Sequence, residues 1–110
     1  MERFKKYIGR EIRLQSVKDS EKLSACGITC RYLPDPPEDF DEFEFACEHG
    51  GKTVLILAAV EMGKLKRLLF TVPDAADPEI TRPLTETQLQ EFLAAKGEKV
   101  SEFLDHITAG

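Results

Sequence analysis

Cys26, Cys30, Cys47 and His49 spell C-x3-C…C-x-H, and thiolates with an imidazole are the side chains that zinc takes as ligands. Spacing decides whether they can meet. In an extended strand the Cα atoms of Cys26 and Cys30 stand about 13 Å apart, at about 3.3 Å per residue. Two thiolates on one zinc lie within about 4 Å of each other, since each Zn–S bond is near 2.3 Å. A zinc-binding regulatory module therefore requires Gly27 to fold the chain into a knuckle. Without that knuckle the three thiols are small apolar side chains on an inward face, which is the reading favoured here, with no cofactor. An odd number of cysteines also fails to make a disulfide framework.

Carboxylates are the other chemical resource. The stretch PDPPEDFDEFEFACEHGG carries Asp35, Glu38, Asp39, Asp41, Glu42, Glu44 and Glu48, with no Lys or Arg among them. Nothing in their spacing selects a general acid and its base. No nucleophile elbow, phosphate loop, H-E-x-x-H or calcium-loop pattern occurs. A small enzyme remains the third reading, after binding and metal regulation.

Charge is laid down in blocks. Residues 1–31 carry +4, residues 32–51 carry −7, residues 52–72 carry +3 and residues 73–110 carry −5, leaving a net −5. Adjacent blocks of opposite sign can neutralise one another when their elements pack. The acidic total argues against nonspecific nucleic-acid binding, which draws its affinity from neutralised phosphates. Arg3, Lys5, Lys6, Arg10 and Arg13 form a basic cluster, but its interleaved Phe4 and Tyr7 fit core contacts better.

With 42% apolar residues and seven Phe, 110 residues are expected to form one domain, 1–110, around a single core. No secretory signal pattern is visible, and the longest apolar run, residues 53–60, is too short to span a bilayer. A cytoplasmic protein without membrane contact is expected.

The elements follow from periodicity. MERFKKYIG places Phe4, Tyr7 and Ile8 on one helical face and ends at Gly9, so a short helix is expected. REIRLQSVK alternates as a half-buried strand does. KDSEK reads as a turn, and KLSACGITCRYL as a strand presenting Cys26, Ile28, Cys30 and Tyr32 on one face. Next come a Pro-bounded loop and the alternating strand DEFEFACEH. Gly50-Gly51 forms a tight turn into TVLILAAV, and Met62-Gly63 another into KLKRLLFTV. Residues 73–83 read as a connector. Thr85 and Gln88 make a capping box that opens a long amphipathic helix with the stripe Leu89, Phe92, Leu93, Val100, Phe103, Leu104 and Ile107. Gly97 could kink it. The expected fold is α+β: a five-stranded antiparallel meander, with a short N-terminal helix and a long C-terminal helix packed on it.

Register turns this outline into a functional expectation. Two-residue turns set Phe45 opposite Ile56 and Phe43 opposite Ala58 on one face, with Glu44 opposite Leu57 and Glu42 opposite Ala59 on the other. The second turn should then set Leu57 against Leu68 and Leu55 against Phe70 on the Glu side. An apolar patch of Leu55, Leu57, Leu68 and Phe70 with an acidic rim is the anatomy of an interface. The alternative is closure by the chain's own N-terminal helix. The leading expectation is a small acidic protein-binding module of inhibitor, immunity or adaptor type. It would occupy a protein partner through the acidic tract Asp35, Glu38, Asp39, Asp41, Glu42 and Glu44, the apolar face, or both. The partner would carry a basic surface, or be a second copy in a homodimer.

Overall fold

The computed structural model describes residues 2–34 and 38–109. The chain opens with a 3₁₀ helix over Glu2–Tyr7, which buries Phe4 and Tyr7. Two short helices follow, α1 (Leu14–Val17) and α2 (Ser20–Ala25), and then β1 (Ile28–Tyr32), β2 (Phe40–His49), β3 (Lys52–Glu61), β4 (Lys64–Pro73) and β5 (Thr81–Pro83). The chain closes with α3 (Glu86–Ile107). The strands form one antiparallel sheet in the order β1-β2-β3-β4-β5, a meander, so the α+β class and the five-strand count agree with the sequence.

Membership of the sheet differs at both ends. The segment REIRLQSVK makes only isolated bridges, Glu11 to Lys64 and Ile12 to Thr108, before turning helical. Helical spacing wins there because Val17 and Leu23 reach the core from single turns. The Asp19 carboxylate also caps α2, accepting from the Lys22 backbone N–H at 3.2 Å. Gly27, at φ +72°, stops α2 as a left-handed residue after the helix, so Cys26 caps a helix instead of sitting in a strand. The fifth strand comes from the supposed connector: Thr81, Arg82 and Pro83 pair with Pro73, Val72 and Thr71.

The long helix is a single piece of 22 residues. Its capping box is reciprocal: the Gln88 N–H donates to Thr85 Oγ1 at 3.2 Å, and the Thr85 N–H donates to Gln88 Oε1 at 2.9 Å. Gly97 neither splits nor ends the helix. The Arg3 guanidinium lies against its Cα, where a side chain would stand. Phe92, Val100, Phe103, Leu104 and Ile107 are buried, with Leu89 and Leu93 packed at the margin.

Aromatic contacts fix how helix and sheet meet. Phe103 meets Phe45 edge-on at 4.7 Å between ring centroids. Phe70 touches Phe92 at 5.7 Å and Phe4 at 5.8 Å, tying β4 to both terminal helices. Tyr7, fully buried, donates its hydroxyl to an Asp105 carboxylate oxygen at 2.9 Å. Among the described residues, no helix is long and apolar enough to cross a membrane.

Candidate functional site: an open sheet face

Pairing between β2 and β3 follows the two-residue Gly50-Gly51 turn: Phe43 faces Ala58, Phe45 faces Ile56 and Cys47 faces Val54. These six side chains are buried under the helices. On the opposite side of the same strands, Glu42 pairs with Ala59, Glu44 with Leu57, Ala46 with Leu55 and Glu48 with Thr53.

The next hairpin corrects the expected register. Glu61 pairs with Lys64 and Val60 with Leu65, as a two-residue Met62-Gly63 turn requires, but Ala59 then pairs with Arg67. Lys66 is an extra residue, a β-bulge, and it reverses side-chain parity along the rest of β4. Leu57 therefore faces Leu69 and Leu55 faces Thr71, while Leu68 and Phe70 pair with Ala58 and Ile56 in the core. Their exposures of 7% and 3% take them out of the surface to which the sequence assigned them. Leu65 and Leu68, three residues apart and both buried, bracket two exposed cations; that spacing is the bulge's mark in the sequence.

On the corrected face Ala46, Leu55, Leu57 and Leu69 are partly exposed, while the small Ala59 and Thr71 between them, 4% and 2% exposed, are already covered by their neighbours. Leu55, Leu57 and Leu69 are half-buried by their neighbours and belong neither to the core cluster nor to the side chains packed against it. The helices' buried side chains all join the core on the other side of the sheet. Among the described residues, no helix covers this face. Phe40 and Tyr32, 60% and 55% exposed, extend it toward the β1 edge, where Tyr32 pairs with Glu44 after an irregularity beyond Cys30.

Charge is sorted across the face. Glu42, Glu44 and Glu48 line the β2 side. Lys64 and Arg67 stand on the β4 side by register, and Lys66 reaches Glu61, also of this face, at 3.7 Å.

The acidic tract is thus divided. Asp35 lies outside the described residues. The Asp41 carboxylate accepts from the Glu38 backbone N–H, and the Asp39 carbonyl accepts from the Met62 N–H at 2.7 Å. Asp41 therefore shapes its own loop, and the loop is pinned to the β3–β4 turn. Glu38 and Asp39 keep exposed side chains. Glu42 and Glu44, which half-burial of a strand alone would explain, are the acids that adjoin the apolar face.

The alternative zinc set is not brought together. Cys26 caps α2, Cys30 stands in β1 opposite Phe45, and Cys47 stands in β2 opposite Ile28. His49 packs edge-on against Phe92 at 5.6 Å. Among the described residues, no three His, Cys, Asp or Glu side chains gather to hold a metal. Burial is the main cause raising the thiols of Cys26, Cys30 and Cys47 above their ordinary values, which makes them poor nucleophiles at neutral pH.

No family model, curated protein or solved structure matches this chain.

Proposed function

We propose that this chain is a protein-binding module that works by seating a protein on the open face of its sheet. The observation that carries this reading is the uncovered row of Leu55, Leu57 and Leu69, flanked by glutamates on β2 and cations on β4. Leu55, Leu57 and Leu69 are already half-buried, so covering what remains of them at ~25 cal/mol per Å² contributes only a few kcal/mol. Association itself costs on the order of 4–15 kcal/mol, so apolar burial alone leaves little surplus. The flanking charges must then select the partner and its orientation, which is what complementary charge does best. Inhibitors, immunity-type proteins and adaptors all act by occupation of this kind.

The test compares two tagged baits in host lysate, the wild type and a Leu55→Lys/Leu57→Lys variant, with bound protein quantified by mass spectrometry. Stoichiometric capture by the wild type and loss with the variant support the reading. Equal recovery by both baits contradicts it, because the captured protein then sits elsewhere.

A further inference from the structure

Resting on the reading of this face as an interface, we infer that its occupant is a second copy of the same chain, stacked sheet to sheet about a two-fold axis running along β3. Closed two-fold pairs are the commonest soluble assemblies, and their interface must be complementary to itself. An axis along β3 carries β2 of one copy over β4 of the other while keeping each position along the strands. The row Glu42–Ala59–Arg67 then lies over its own reverse, with Glu42 facing Arg67 of the second copy and Ala59 meeting Ala59. One row further, Leu57 meets Leu57 with Glu44 over Leu69; next, Leu55 meets Leu55 with Ala46 over Thr71. Ala59, short and only 4% exposed, does not hold the sheets apart, and the half-buried leucines fill the layer of about 10 Å that separates packed sheets. The roughly 30° twist between stacked sheets moves these contacts only slightly near the axis. An axis across the strands at the leucine rows instead places β2 over β2, where glutamates meet one another, and leaves Arg67 with no carboxylate opposite. The Glu42–Arg67 contact, made twice, favours the first arrangement; Glu61 of each copy, which that axis brings together at the end of β3, keeps its own Lys66 at 3.7 Å.

Area is compatible with a stable pair. Three ten-residue strands cover a flat area of about 15 by 33 Å. Side-chain relief and the short outer strands extend it toward the ~800 Å² per partner of a standard interface.

Sedimentation velocity from about 1 to about 100 µM protein tests the inference, with circular dichroism confirming that every variant is folded. The wild type is expected to dimerise, and Leu57→Lys to abolish dimerisation. Glu42→Arg alone and Arg67→Glu alone should each weaken the dimer about tenfold or more, because each sets like charges face to face twice per dimer. Mixing the two single variants should restore it as a heterodimer, since both cross-contacts regain opposite signs. A wild type that stays monomeric overturns the inference and leaves the lysate comparison to decide whether another protein uses the face. A dimer indifferent to Leu57→Lys and to both charge variants overturns it by placing the contact elsewhere. Single variants that dissociate but fail to re-form a dimer on mixing overturn the axis along β3.

Discussion

The bulge at Lys66 makes a prediction that separates two adjacent leucines. Leu68 is 7% exposed, pairs with Ala58 and lies in the core; Leu69 pairs with Leu57 and lies on the open face. Truncating a buried leucine removes its transfer energy and leaves a cavity, so Leu68→Ala should cost about 3 kcal/mol, within the ~2–5 kcal/mol span of such changes. Leu69 has a covered side only where its strand neighbours touch it, and Leu69→Ala should cost about 1 kcal/mol or less. Urea unfolding followed by circular dichroism measures both. With a slope of about 1–3 kcal/mol per M, the midpoint should fall by at least about 1 M for Leu68→Ala and by about half that or less for Leu69→Ala. Sub-micromolar protein keeps assembly from adding to the Leu69 value through mass action. Equal losses, or a larger loss at Leu69, would refute the bulge, because an unbroken strand with a two-residue turn puts Leu69 inward and Leu68 outward.

The reciprocal cap at the start of α3 should be worth about 1 kcal/mol, so Thr85→Ala should lower the urea midpoint by about 0.3–1 M, and an unchanged midpoint would mean the bonds to Gln88 contribute nothing. Met62 holds φ +52° in a turn while 69% exposed, so Met62→Asn should stabilise by about 0.5–1 kcal/mol through relief of that conformation; a loss of stability would show that the side chain matters more than the backbone. Burial, then the hydrogen bond and charge of Asp105, raise the Tyr7 phenol above its ordinary 10.0, and burial raises the thiols above 9.0. Their folded values exceed the unfolded ones, so the stability they contribute is complete below about pH 9 and declines as pH rises toward the folded values. Urea midpoints should therefore fall as pH rises above about 9, and Tyr7→Phe should flatten part of that fall; an identical slope would remove Tyr7 from the explanation.

Much of the fold was legible because periodicity and turn chemistry agreed. The two glycines at 50 and 51 fixed the β2–β3 register residue by residue, and Thr85, Gln88 and the apolar stripe located α3. What was missed has physical causes. Residues 11–17 alternate for a few positions, but α1 follows because Leu14 and Val17 share a helical face. Asp19 as a cap and Gly27 as a terminator announced α2, yet the polar string between them resembled a turn. β5 is three residues long and contains Pro83, too short for any periodic signal. The open face was half legible: the β2–β3 register matched the expected pairing, and the β4 half was displaced by one residue. A single inserted position changed Leu68 and Phe70 from surface to core and brought Leu69 and Arg67 out. The acids were all visible in the sequence, but only pairing shows that Glu42 and Glu44 adjoin the leucines while Asp41 serves its own loop.

Hydroxyl-radical footprinting of the associated protein tests most directly that the open face is where binding occurs. Leu55, Leu57, Leu69 and Phe40 should lose reactivity as association proceeds, whether with a second copy or with a captured partner. Met62 and Ile80, exposed away from the centre of the face, should keep theirs. Protection of Met62 or Ile80 with the leucines left fully reactive would contradict the assignment of this face.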